Sequence, residues 1–401
     1  MPELSLPTET TVGDPLPVRL TDGPVMEDVS VRFTVTDDAD RELEATAVYS
    51  TTTDGELDTT KATLRRGGDL GGPMPLAELR PEDEYLFPYA IFDESGQVSI
   101  AVSAKVDGEL LHGETIRTLV SPDLQTETVA ADDEPVAGGT LFHPPGDDAS
   151  PAVVFLADPE TEMADRLPER LASSGVAVFV PDYDTARVEG GDEDNESISL
   201  DAIEGAFDSL TERDDVSTPL SLVGVGRGTE AAALLGASRS AVDTVVAYAP
   251  TAYAFPVAGT EPATARWHRD GESVSCLPLP SEESVDDEES SFFERTLSEA
   301  SLDEMDAAAL PWADVPDVTV VSGGHDTVWP ATAFCERIGL WRRQADRETI
   351  HLDHPDAGHG VGAPYRDYRE RVPGFGGSAL GDTELATDAW PAIVDAVRQG
   401  E

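Results

Sequence analysis

Lysine is almost missing from this chain. Of 26 basic side chains in 401 residues, only Lys61 and Lys105 are lysines, and 80 acidic residues bring the net charge to −54. Nucleic acid and anionic membrane surfaces are therefore excluded as partners, because both demand positive charge. Cysteine is nearly as scarce: Cys276 and Cys335 cannot build a disulfide framework and show no metal-ligand spacing, so no metal and no cofactor is expected. Long apolar runs are missing too. Stretches such as Ala152 to Ala157 fall far short of the roughly 20 residues a membrane span requires. The opening Met1-Pro-Glu-Leu-Ser-Leu-Pro has neither the basic region nor the apolar stretch of a signal peptide, which makes the cytoplasm the expected location.

What remains is ample for a folded protein. Five Trp, eight Tyr and twelve Phe supply core material, and the length suggests two or three domains. Residues 1–130 carry 26 acidic and 9 basic side chains against 54 and 17 in the rest, so the acidity coats the whole chain rather than forming a tail. Blanket acidity with almost no lysine suits a halophilic protein, because concentrated salt screens self-repulsion within a few ångströms.

Up to about residue 127 the pattern has period two. Val29-Ser-Val-Arg-Phe-Thr-Val-Thr36 and Val98-Ser-Ile-Ala-Val-Ser-Ala-Lys-Val106 alternate apolar and polar residues, as half-buried strands do. The second run ends at Asp107-Gly108, a two-residue hairpin signal, before a returning strand from Leu110 to Leu119. With Pro15–Leu20 and Thr46–Tyr49 added, residues 1–127 read as an all-β sandwich of roughly immunoglobulin size.

From residue 135 to 401 strands and helices alternate. Ala152–Ala157 and Val176–Val180 are continuous apolar runs, as in parallel strands covered on both faces. Helices are expected from Ala164 to Ser174, Leu200 to Arg213 and Thr383 to Arg398, and further strands at Leu220–Val223, Thr244–Tyr248 and Val318–Ser322. This alternation predicts an α/β domain with a mostly parallel sheet. The acidic stretches Glu189–Glu196 and Glu282–Glu289 read as solvated loops.

The chemistry gathers around three places. Strand Leu220–Val223 runs into Gly224-Val-Gly-Arg-Gly228, the glycine spacing of a nucleophile elbow, with Gly226 where the attacking side chain belongs. Asp326 follows strand Val318–Ser322, and His359 lies in a loop before the last helix. Nucleophile, acid, histidine is the chain order of the α/β-hydrolase triad.

These residues carry a resemblance. Over nearly its full length the chain resembles the family of acyl-CoA thioesterases and bile-acid-CoA:amino-acid N-acyltransferases, on an α/β-hydrolase fold. The matching segments are Gly71-Gly-Pro-Met-Pro75, Gly139–Gly146, Trp267–Pro280, Asp326–Pro330 and Ala357-Gly-His-Gly360 with Ala363-Pro-Tyr365. The resemblance implies acyl transfer: a serine or cysteine attacks an acyl-CoA thioester, His359 is the general base and Asp326 orients it. Gly226 has no side chain to attack with, and losing a triad nucleophile costs about 10⁶ in rate. The first strand of the α/β domain ends in Leu156-Ala-Asp-Pro-Glu-Thr161, where relatives have a glycine-rich turn. Pro159 lacks an N–H, and Asp158 and Glu160 would repel an oxyanion. The expectation is an acyl-CoA thioester hydrolase or acyltransferase-like protein that is weak or inactive, a pseudoenzyme; the alternative is a non-catalytic module holding an acyl ligand.

Other candidates are weaker. Ser238 and Ser378 sit at no strand-to-helix elbow, and the cysteines lack the neighbouring positive charge that makes a thiolate. His351, Asp353 and His354 fall on mixed strand faces, so they are poor metal ligands. Thr229 breaks the dinucleotide-binding glycine fingerprint. Acyl chain length, acceptor and oligomeric state are left open by the sequence.

Overall fold

Alternation becomes strand throughout the first third of the chain. The computed structural model describes all residues except 38–39, 73–90, 94, 132–135, 147, 158–165, 188–196, 259, 261, 281–291, 366–373 and 399–401. The chain divides into two units, Met1–Asp123 with Ala363–Asp367, and Leu124–Gly362 with Tyr368–Glu401.

The first unit holds a six-stranded sheet in the order Glu9–Thr11, Glu109–Thr118, Gln97–Val106, Asp28–Thr36, Glu42–Ser50, Thr63–Arg66, and a three-stranded one of Glu3–Ser5, Arg19–Thr21 and Leu57–Asp58. Its described residues contain no α-helix. Val31, Phe33, Ile100, Val102 and Ala104 are buried at 0–1% exposure, so each alternating run turns its apolar side inward. Asp107 and Gly108 adopt φ of 50° and 88°, the left-handed pair that a two-residue hairpin needs. Both lysines, exposed, belong to this unit.

The second unit is built on an eight-stranded sheet. Its strands are β1 (Gln125–Val129), β2 (Gly139–His143), β3 (Ser150–Leu156), β4 (Ala177–Pro181), β5 (Val216–Val225), β6 (Val242–Tyr248), β7 (Asp317–Gly323) and β8 (Ile350–His354). They lie in the order β1-β2-β4-β3-β5-β6-β7-β8, an α/β-hydrolase-type sheet. The sheet is mixed rather than simply parallel, because β1–β2 and β2–β4 are antiparallel while the other five pairings are parallel. The physical reason is connection length. Nine residues separate β1 from β2, too few for the dozen or more that a parallel crossover needs.

The helices are α1 (Leu167–Ser173), α2 (Leu200–Thr211), α3 (Gly228–Ser238), α4 (Phe292–Glu299), α5 (Leu302–Ala307), α6 (Ala331–Gln344) and α7 (Ala379–Arg398). The start expected for α1 at Ala164 and both acidic stretches lie largely outside the described residues. Central strands are apolar on both faces: in β3, Val153, Val154 and Leu156 are all fully buried. No helix among the described residues is long and apolar enough to cross a membrane. All five tryptophans fall in this unit.

Candidate functional site

Strand β5 turns into α3 through Gly224–Gly228, and each glycine has its own reason. A Cβ on Gly224 would stand 2.8 Å from Thr229 Cα, and one on Gly228 would stand 2.0 Å from the carbonyl oxygen of Leu156 at the end of β3. Neither position has room for a side chain. Gly226 between them takes φ +57°, the left-handed backbone of an elbow, which glycine adopts freely and a residue with a Cβ adopts only under strain. The turn is pinned on both sides. Gly226 N–H donates to Tyr248 O at 3.1 Å, and Thr229 Oγ1 donates to Gly226 O at 2.7 Å.

Arg227, next in the chain, is buried and its guanidinium is committed. Nη2 donates to Phe255 O at 2.6 Å, and Nε faces Glu230 Oε1 at 3.3 Å. Its backbone N–H, where the first donor of an oxyanion hole belongs, makes no hydrogen bond among the described residues. The second donor loop falls outside the described residues at Asp158, Pro159 and Glu160.

The acid and the histidine meet. Beyond β7, Asp326 Oδ1 accepts from the Val328 and Trp329 N–H groups at 2.8 and 3.2 Å. Its other oxygen, Oδ2, is 2.8 Å from His359 Nδ1. The two side chains are only 1% and 3% exposed. The bond to Nδ1 leaves Nε2 as the nitrogen available to a reacting group. Around the imidazole, Trp329 and Phe375 stand edge-on with ring centroids 4.6 and 4.9 Å away. Trp329 Nε1 donates to Ala249 O at 3.2 Å. Ala249 directly follows Tyr248, the residue that holds the elbow, so the elbow and the ring against His359 are anchored on adjacent residues at the carboxyl end of β6.

The histidine loop is held by a residue that sequence reasoning missed. Asp382, buried in the first turn of α7, accepts the Gly358 N–H at 2.6 Å through Oδ1. His359 N–H donates to Phe375 O at 2.8 Å. Nothing in the sequence marks Asp382, because an acid in a helix's first turn is ordinary.

No protein-family model matches the chain. It is 24% identical to two curated proteins of Mus musculus, acyl-coenzyme A amino acid N-acyltransferase 1 over 241 residues and acyl-coenzyme A amino acid N-acyltransferase 2 over 249. Each match takes in 57% of this chain and 56% of the relative, so the chain spans little more than half the length of these relatives. This similarity supports the resemblance to the acyl-CoA thioesterase and amino-acid N-acyltransferase family. Solved structures that superpose on it include a puromycin-hydrolyzing peptidase of Mycobacterium tuberculosis (TM-score 0.44, 12% identity, 92% of this chain and 54% of that one). Another is the esterase domain of a Rhodothermus marinus protein (TM-score 0.40, 12% identity, 69% and 98%).

The three positions that the family's motif order singles out, Gly226, Asp326 and His359, all lie past the carboxyl ends of β5, β7 and β8. The remaining candidates lie apart from that constellation or are occupied. Ser238 ends α3, some ten residues and ~15 Å along the helix from the elbow. Ser378 Oγ accepts from Gly381 N–H at 3.0 Å and so serves the start of α7. Burial pushes the Cys276 thiol up to about 11 and the Cys335 thiol up to about 12, away from the thiolate state. His351 Nε2 is 2.8 Å from Ser322 Oγ, and His354 Nε2 is 3.1 Å from Glu384. Among the described residues no three His, Cys, Asp or Glu side chains are grouped to hold a metal ion.

Proposed function

We propose that this chain is an acyl-CoA thioester hydrolase or acyltransferase-like protein whose acid–histidine pair is intact and whose nucleophile has become Gly226. The observation that carries this reading is the 2.8 Å contact between His359 Nδ1 and Asp326 Oδ2 past the carboxyl ends of β8 and β7, the same end of the sheet at which β5 turns through a positive-φ glycine. Open α/β sheets bind their ligands at that edge. In the same reading, residues 1–127 form an immunoglobulin-like sandwich of the family's N-terminal kind, and residues 135–401 form the catalytic-like domain.

Without a side chain at position 226, turnover has to run through water. His359 Nε2 takes a proton from a water molecule, whose oxygen attacks the thioester carbonyl carbon. The tetrahedral oxyanion then collapses, the carbon–sulfur bond breaks, and His359 returns the proton to the leaving thiolate. Asp326 keeps the Nδ1 proton in place and stabilises the imidazolium. Such a route forfeits most of the ~10⁶ that the nucleophile supplies, so turnover is slow. A second reading, a non-catalytic holder of an acyl ligand, is favoured by the missing side chain at Gly226.

The test is turnover of short- and long-chain acyl-CoA esters in molar KCl, with His359→Ala as control and quenching of tryptophan emission as a measure of binding. Slow hydrolysis that His359→Ala abolishes supports the enzyme. Binding without hydrolysis supports the holder. Hydrolysis that survives His359→Ala places the chemistry elsewhere and ends both readings.

A further inference from the structure

The eight-stranded sheet ends at β8, whose outer edge pairs with no described strand. An open edge is a template for another chain, and proteins usually blunt it with lysine, proline or a covering element. β8 has neither lysine nor proline within Ile350–His354, and Asp353 is its one exposed carboxylate. Ile350 at its start is instead 53% exposed.

The helix leading into β8 departs from the rest of the molecule in the same sense. Arg342 ties the end of α6 to the head of β8, its Nε donating to Thr349 Oγ1 at 2.9 Å and its Nη2 to Glu348 O at 2.9 Å. On the outer side of α6, Leu340 is 47% exposed. Residues 331–348 hold four arginines against three acidic residues, in a chain of net charge −54. Arg337, Arg343 and Arg347 have no carboxylate partner among the described residues. The carboxylate coat that keeps two copies apart elsewhere is therefore thin beside the open edge, where apolar groups are exposed.

We propose that β8 is a homodimer interface, pairing antiparallel with β8 of a second copy about a two-fold axis at Leu352. Charge selects this register. With Leu352 on the axis, His351 stands opposite Asp353 of the copy and Asp353 opposite its His351, while Ile350 faces His354. Moving the axis to Asp353 sets Asp353 against Asp353, and like charges directly opposite are destabilising, while moving it to His351 sets Asp353 against Thr349 and loses the His351–Asp353 pair. A two-fold interface uses the same patch on both subunits, so one favourable pair is formed twice.

The experiment is light scattering of the full chain in molar KCl, combined with cysteine cross-linking. The expected mass is twice 42.6 kDa. Leu340→Glu together with Ile350→Glu, both on the surface, returns it to one chain with an unchanged circular dichroism spectrum. Antiparallel partners lie ~4.5–5.5 Å apart at Cα, within the reach of a disulfide. Oxidised Leu352→Cys is thus expected to run as a covalent dimer. Ile350→Cys is not, since four residues of offset separate the two sulfurs by ~13 Å. The parent, with Cys335 buried and Cys276 half-buried, is the control for its own thiols. A parent of single-chain mass, a dimer that survives the double substitution, or cross-linking through Ile350→Cys in place of Leu352→Cys overturns the proposal.

Discussion

At Gly226 the backbone keeps an elbow's φ while the side chain it would display is gone. Restoring a hydroxyl with Gly226→Ser puts it at the start of the acid–histidine line, and thioester hydrolysis is expected to rise above the parent's. The rise stays well short of the ~10⁶ a full nucleophile supplies, and serine at φ +57° stores strain of roughly 1–3 kcal/mol. The assay is acyl-CoA turnover with circular dichroism to confirm folding. A folded variant no faster than the parent shows that more than the nucleophile has been lost. Asp382 invites a second test. Asp382→Ala orphans the buried Gly358 N–H, at a cost of about 1–3 kcal/mol. Asp382→Asn keeps an acceptor and is expected to recover most of that loss. Denaturant midpoints for the two variants check it, and equal losses would mean that the charge, not the hydrogen bond, holds the loop.

Among elements, legibility followed burial. The apolar runs of β3 and β4 stood out because both faces are covered, and the alternating strands of the first unit because one face is. β8 did not stand out as a strand: Ile-His-Leu-Asp-His at the sheet edge is half-buried and presents no apolar run. α6 has no start signal, since its N-cap is Pro330 with no side-chain cap. Asp326 and His359 were readable from motif order, whereas Trp329 and Asp382 act through contacts between elements distant in sequence. The sheet's first strands offer a prediction at this scale. Arg213 donates to Glu127 at 2.9 Å and to Asp215 at 2.8 Å, joining β1 to the approach to β5, with His143 3.1 Å from Glu127. Hydrogen bonds from Arg213 hold both carboxyls below their usual range. Their folded values lie below the unfolded ones, about 4.3 and 3.9. The stabilisation is therefore complete above those values and fades as pH falls through the lower, folded ones. Arg213→Ala is expected to unfold more easily than the parent at pH 7, with the gap closing in acid. Urea midpoints from neutral pH downward check it, and a gap that stays constant removes the network's role.

The molecule as a whole is governed by its 80 acidic and 26 basic residues. In dilute buffer the Debye length of ~10 Å lets neighbouring carboxylates repel, whereas at 1 M salt it is ~3 Å. The melting temperature is expected to climb steeply between dilute buffer and molar KCl. A flat profile would end the reading of the acidic coat as a salt adaptation.

The placement of lysine and tryptophan has a practical consequence. Lys61 and Lys105 both lie in the all-β unit, and every tryptophan lies in the α/β unit. An amine-directed dye therefore marks one unit, and indole emission reports on the other. A single denaturation series read at two wavelengths follows each unit on its own channel. Coincident curves would identify one cooperative transition, and separated curves two.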